Sequence, residues 1–419
     1  MINNFMKVSA RLFIFPIVFI VSQTGFAAEY EEAPVFKASQ LLNKNMRAGE
    51  NFTVNEKVVN HGFMNQYTVE TKWGDFTAKS DAQLRLGLHE VSVMGIIEEM
   101  LANDEVTKAA GEQGTDTFEN AKKLVSNPGE VLDGAVEGTK KLFSLGKRAW
   151  NDKSASSTQE DSKWESLVGF SSKKREYAAQ FKIDPYTTNP LMEEALDKLT
   201  WTTHSTKLAS GFLVSLIPVV GVAATVSNTS DVLNEVMVLK SPLELREDNI
   251  RSLSDVGINQ TVIDLFMRNE YFTPTSQTLF VEALASMKST KGLEAVIGIA
   301  TLSDDVETAT LRQRQMQMYA SYHKHIKPIK HFSSLGDMAY AKTSEDTTLV
   351  VSPVDYLFWT KDVDEVAKSI RQNDNDHNGK LELWIAGKFS EATASMLKDM
   401  GWSLHINAEN SLLGNADKS

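Results

Sequence analysis

The sequence predicts a mainly α-helical protein with a C-terminal α/β unit and a small N-terminal β-hairpin, α+β overall. Three patterns lead there. Apolar residues recur at intervals of three and four over much of the chain between 81 and 323. A stretch near residue 70 alternates at period two. After Pro328, short strand-like runs begin to alternate with helical ones.

The first 28 residues read as an address rather than a fold element. Met1–Ala28 carries Lys7 and Arg11 and no acid. The apolar run Leu12–Val21 and then Gly25-Phe26-Ala27-Ala28 follow, the layout of a secretory signal peptide. Cleavage is expected after Ala27 or Ala28, placing the mature chain in the periplasm or outside the cell. Acidic, soluble sequence starts at once with Glu29-Tyr30-Glu31-Glu32.

Residues 29–150 are expected to hold the hairpin and several helices, after an irregular lead-in to about residue 60. Tyr67-Thr68-Val69-Glu70-Thr71-Lys72-Trp73 alternates, and Gly74-Asp75 turns the chain toward Phe76-Thr77-Ala78. Tyr67, Val69 and Trp73 should face the core. Asp81 is a candidate N-cap for a helix whose apolar stripe is Leu84, Leu88, Val91, Met94, Ile97 and Leu101. Two further helices are expected at 117–126 and 129–149, parted by Asn127-Pro128. Residues 151–163, rich in Ser, Asp and Gln, read as a flexible linker.

The span 164–326 reads as a helical domain punctuated by Pro185, Pro190, Pro218, Pro242 and Pro274. Residues 327–407 read as a compact β-α-β-α-β unit. Its strands are Thr348–Val351, Leu381–Ile385 and Trp402–Ile406, its helices Val363–Ile370 and one capped by Ser390 and closed by Gly401. Residues 408–419 read as a polar, loose tail.

Composition narrows function mainly by exclusion. The 419 residues include no Cys, which removes disulfides, thiolate metal sites and thiol catalysis. With 43 Lys+Arg against 55 Asp+Glu and a formal charge of −12, the chain lacks the basic surface that nucleic-acid binding draws on. No Gly-x-Ser-x-Gly, His-Glu-x-x-His, phosphate-binding or dinucleotide-binding loop is present. Ser144–Lys147 and Ser171–Lys174 match Ser-x-x-Lys without its companion triplets, and His89-Glu90 lacks a second His.

Two segments point to chemistry. Leu208–Ser230 is 23 residues without a charge, read as a pair of core helices meeting at Pro218, as a membrane-inserting or membrane-contacting hairpin, or as a stable membrane span. Asp374-Asn375-Asp376-His377-Asn378-Gly379 follows the opening of a calcium loop, with Asp374, Asp376 and Asn378 as ligands. Ile385 stands where that loop needs a bidentate Glu. A polar turn explains the same residues, so no cofactor is expected and calcium is the one metal worth testing. His323, His325 and His331 are interleaved with lysines that repel a cation, and His323 lies in phase with core residues.

Three phrases, Gly62-Phe63-Met64-Asn65-Gln66-Tyr67, Asp184-Pro185-Tyr186-Thr187-Thr188-Asn189-Pro190 and Asn269-Glu270-Tyr271-Phe272-Thr273-Pro274, resemble a group of exported proteobacterial proteins with no assigned activity. The resemblance implies export from a Gram-negative cell and transfers no active site. The functional expectation is an exported, non-catalytic protein whose partner is another protein or an envelope component. One alternative is an exported hydrolase with dispersed catalytic residues. Another is a membrane-inserting protein acting through Leu208–Ser230.

Overall fold

The computed structural model describes residues 30–102, 170–204, 239–373 and 379–413. The signal peptide, the helices expected at 117–126 and 129–149, the linker 151–163, the charge-free Leu208–Ser230 and the calcium candidates Asp374, Asp376 and Asn378 lie outside them.

The N-terminal unit is a five-stranded antiparallel sheet, not a hairpin. Its strands are β1 (Val35–Lys37), β2 (Phe52–Val54), β3 (Lys57–His61), β4 (Met64–Thr71) and β5 (Phe76–Ala78). They run in the order β1-β3-β4-β2, with β5 also on β4. Short helices α1 (Ala38–Leu41) and α2 (Lys44–Arg47) occupy the expected irregular lead-in. The period-two alternation places Asn65, Tyr67 and Val69 of β4 inward, and Trp73 and Phe76 are buried with them.

Helix α3 (Asp81–Ala102) lays Leu84, Leu88, Val91, Met94 and Ile97 on that sheet, as their spacing predicts. Its start is capped by Ser80, whose hydroxyl accepts the Gln83 N–H at 3.0 Å. Asp81 is therefore the first helical residue, and its carboxylate is free for other work. Helices α4 (Phe170–Gln180) and α5 (Pro190–His204) complete this core with Tyr177, Phe181, Leu196 and Leu199.

Helices α6 (Pro242–Val256), α7 (Gln260–Met267), α8 (Pro274–Ala285), α9 (Leu293–Ala300) and α10 (Val306–His325) form the next layer. Pro190, Pro242 and Pro274 all open helices, where a missing N–H is no loss. Ser241 and Thr273 cap α6 and α8.

The C-terminal sheet has the order β12-β10-β8-β7-β6. An antiparallel hairpin, β6 (Ile329–Leu335) and β7 (Met338–Thr343), edges the parallel strands β8 (Thr348–Ser352), β10 (Leu381–Ile385) and β12 (Trp402–His405). Crossover helices are α11 (Lys361–Asn373) and α12 (Glu391–Asp399), the latter capped by Ser390 and closed by left-handed Gly401. A two-stranded parallel ribbon, β9 (Tyr356–Leu357) with β11 (Lys388–Phe389), extends the sheet. Both faces are covered. Leu349 and Val351 pack toward α8–α10, and Val350, Leu381, Leu383 and Ile385 pack toward α11 and α12. The first residues of the expected tail form a helix, α13 (Ala408–Leu412), with Ala408 and Leu412 in the core.

The fold class therefore needs correcting. Among the described residues the protein is 52% helix and 20% strand, with three sheets, a mixed α/β molecule rather than a mainly α one. Strands of three residues, such as β1 and β2, are too short for periodicity to reveal, whereas β5 falls on the expected second arm of the hairpin.

Two glycines separate tight packing from free space. A Cβ on Gly387 would lie 1.7 Å from the Asp355 carbonyl oxygen, whereas one on Gly298, inside α9, meets nothing within 4 Å. Gly387→Ala should cost about 3 kcal/mol of stability. Gly298→Ala should leave it unchanged or raise it by up to about 1 kcal/mol. Urea unfolding midpoints of the two variants check this pair of opposite outcomes.

Candidate carboxyl-edge site

In open α/β sheets ligands bind outside the carboxyl ends of the parallel strands, beside the N-termini of the crossover helices. Here those ends are Ser352–Asp355 after β8, Ala386-Gly387 after β10 and Ile406-Asn407 after β12. They are laced together by backbone hydrogen bonds, Ala386 N–H to Ser352 O, Gly387 N–H to Val354 O and Asn407 N–H to Gly387 O, each 2.9–3.0 Å. The absent side chain of Gly387 lets the two loops touch.

The N-terminal unit presses onto this edge through its β3–β4 turn. Gly62 and Phe63 both adopt left-handed backbone angles, which thrusts the Phe63 ring against Phe358, centroids 5.1 Å apart. The Phe63 carbonyl accepts the N–H groups of Asp355 and Tyr356 at 3.1 and 3.0 Å.

Beneath that turn lies a pair of carboxylates. Asp355 Oδ2 accepts the backbone N–H of Asn65 at 2.9 Å and of Asp81 at 3.0 Å. Asp81 Oδ1 accepts the Tyr67 hydroxyl at 2.6 Å and the Asn65 amide at 2.9 Å. Asn60 donates in turn to Asn65 Oδ1 at 3.0 Å. Burial and then the neighbouring Asp81 charge push the Asp355 carboxyl up to about 7, against the opposing pull of its N–H donors and Arg85. Burial and Asp81 also raise the Tyr67 phenol.

Beside this pair stands a guanidinium–carboxylate triad. Arg85, one turn along α3 from Asp81, donates to Glu409 of α13 at 2.9 Å, and Arg314 of α10 pairs with the same carboxylate. Burial and Arg85 push Arg314 down to about 10, so it stays protonated at neutral pH. Glu31, from the chain ahead of β1, fills the remaining gap. Its Oε2 accepts the Trp359 N–H at 2.6 Å and the Ser390 hydroxyl at 2.5 Å.

A second polar cluster lies deep in the N-terminal core. Glu90 of α3 accepts the Thr187 hydroxyl at 2.5 Å and the Asn189 amide at 2.8 Å, and burial pushes it up to about 7. Asp184, also raised by burial, accepts the Thr275 hydroxyl at 2.5 Å. His89 Nε2 lies 2.9 Å from the Phe181 carbonyl, and burial lowers its pKa. These groups tie the α4–α5 loop to α3 and α8.

The described histidines do not converge on a metal-binding group, and the calcium candidates lie outside the described residues. His323 Nδ1 accepts the Ile329 N–H at 2.9 Å, a local tie at the end of α10. Ile385 is a fully buried residue of β10, so strand rather than helix follows the calcium-like phrase. Among the described residues no group of three or more His, Asp or Glu is placed to hold a metal ion, and none of the helices there is long and apolar enough to cross a membrane. Sequence reasoning missed Glu31, Arg85, Arg314, Asp355 and Glu409. Only Asp355 carried a usable signal, as an acid just past the end of a strand in a parallel unit. No family model, curated protein or solved structure matches the chain.

The raised Asp355 pKa has a definite sign in stability. Folded chain keeps a proton that unfolded chain releases between about pH 4 and pH 7, so this contribution shrinks as pH rises through that window and is level above it. Asp355→Asn keeps an acceptor oxygen for both N–H donors and removes the titration. The unfolding free energy of the natural chain minus that of the variant should fall by a few kcal/mol from pH 4 to pH 8. Parallel stability curves would sink this assignment.

Proposed function

We propose that this is an exported envelope protein that works by binding a protein or other envelope component, not by catalysis. What carries the reading is the filling of the carboxyl edge by the chain's own N-terminal unit and C-terminal helix. Glu31, Phe63, Asn65, Asp81, Arg85 and Glu409 occupy the place where a small-molecule substrate would enter.

The hydrolase alternative would have to draw on Asp355, whose pKa suits proton transfer near neutrality. Asp355 is 8% exposed and its carboxyl is fixed by two backbone N–H groups, a placement suited to joining units rather than meeting substrate. Contact with the membrane through Leu208–Ser230 belongs to the same proposal as a means of envelope association.

The expected outcome on fractionation is a processed chain, beginning after Ala27 or Ala28, released from the periplasm by osmotic shock. Recovery from the cytoplasm with Met1–Ala28 intact would defeat the export reading. A need for detergent after alkaline washing would replace peripheral binding with insertion. Turnover of an ester, peptide, glycoside or phosphoester substrate that disappears in Asp355→Asn would replace binding with hydrolysis.

A further inference from the structure

Helices α11 and α12 both start on the carboxyl edge, and the gap between their starts is built to hold an acid. Free N–H groups and the helix dipoles favour negative charge there. Ser390 accepts the Thr393 N–H at 3.0 Å as the cap of α12, and its hydroxyl lies 2.5 Å from Glu31 Oε2, the shorter of two contacts, the other being Thr393 Oγ1 at 2.9 Å. The Trp359 N–H supplies the second donor to the same oxygen. Trp359 also reads backbone, its carbonyl accepting the Glu31 N–H at 2.7 Å.

One residue earlier the gap asks for a donor. The Tyr30 hydroxyl donates to Asp364 Oδ2 at 3.1 Å, an oxygen shared with Lys368 at 2.8 Å. Asp364 is only 7% exposed, and its other oxygen, Oδ1, is buried without a hydrogen-bond partner. A buried carboxylate oxygen left unpaired is costly, so the hydrogen bonds from Tyr30 and Lys368 to Oδ2 are the ones that hold this carboxylate. The gap therefore holds a donor, a backbone N–H and then a carboxylate, in that order along the segment.

We propose that the gap between the starts of α11 and α12 is a recognition site for a peptide segment with a tyrosine followed by a glutamate, and that Tyr30–Glu31 is its tethered occupant. Tyr30 and Glu31 fall within four residues of the expected cleavage site, so in the processed chain the segment is tethered at one end only, and Tyr30 is 47% exposed. Tethering sets its effective concentration at roughly millimolar, enough to shut out a weak free peptide. A partner presenting the same chemistry at higher local concentration would displace it. This names the ligand class for the binding role proposed above and rests on that reading for its setting.

The test uses the full mature chain, and the probe is a labelled peptide of residues 29–34, Glu-Tyr-Glu-Glu-Ala-Pro, followed by anisotropy. Glu31→Gln in the protein weakens the tethered occupant, and this variant should bind the peptide about tenfold more tightly than the natural chain, a difference of about 1.4 kcal/mol. Its Trp359 amide should also exchange hydrogen faster. A peptide with Gln at the third position should bind the variant at least about tenfold more weakly. Adding Ser390→Asp, which keeps a capping side chain but sets a carboxylate against the incoming acid, should abolish binding. Equal binding by natural and Glu31→Gln chains, indifference to Glu-to-Gln in the peptide, or no binding at all would overturn the proposal. Peptide binding by a chain retained in the cytoplasm would defeat export and leave the recognition site standing. An exported, processed chain that ignores the peptide would defeat the site alone.

Discussion

The Asp355 carboxylate is the constraint on which the arrangement of the two sheets depends. It lies just past β8 of the C-terminal unit, yet both of its backbone donors, Asn65 and Asp81, belong to the N-terminal unit. Asp81 is the first residue of α3, and its N–H is one of the groups a helix start leaves without an internal partner. Asp355 thus completes the start of a helix some 270 residues away in the chain. Removing it would strand two N–H groups at a buried junction, each at about 1–3 kcal/mol. The same contact holds the start of α3 against the C-terminal unit, and one turn along Arg85 makes a second tie there through Glu409.

How far the sequence discloses this depends on the range of each interaction. Local periodicity reveals α3, because five stripe residues from Leu84 to Ile97 are buried against one sheet. It also reveals β8, β10 and β12 with their crossover helices, since each has at least four residues of consistent pattern and α12 has its own cap. It fails for β1 and β2, three residues each, which are strands because β3 and β4 offer them hydrogen bonds. Asp81 shows the same limit. As an acid before an apolar stripe it resembles an N-cap, but Ser80 takes that role and frees Asp81 for Tyr67 and Asn65.

The three phrases that stand out in the sequence prove to be joints. Gly62–Tyr67 bends the β3–β4 turn into the C-terminal unit. Asp184–Pro190 wraps Glu90, with Asn189 also accepting the Leu191 N–H at the start of α5. Asn269–Pro274 ties the α7–α8 link to the carbonyls of Thr301 and Ser303 and caps α8 through Thr273. Each combines a short polar side chain with a backbone that leaves regular structure, which is why such residue strings look distinctive without spelling a reaction.

The carboxyl edge carries the same logic into electrostatics. Four acids, Glu31, Asp81, Asp355 and Glu409, meet there with Arg85 and Arg314 and with two helix starts. Sheets of this type usually leave such positive ends for a ligand. Here acids from both ends of the chain meet them first, so withdrawing either end would uncover unpaired cations and N–H groups while stranding its own carboxylates. Such an edge resists opening as a whole but tolerates exchange of one acid for another of like geometry. Of the acids, Glu409 is anchored by the buried Ala408 and Leu412 on either side of it and Asp81 by its place in α3, while Glu31 sits outside regular structure, ahead of β1. Exchange at this edge must therefore begin with Glu31.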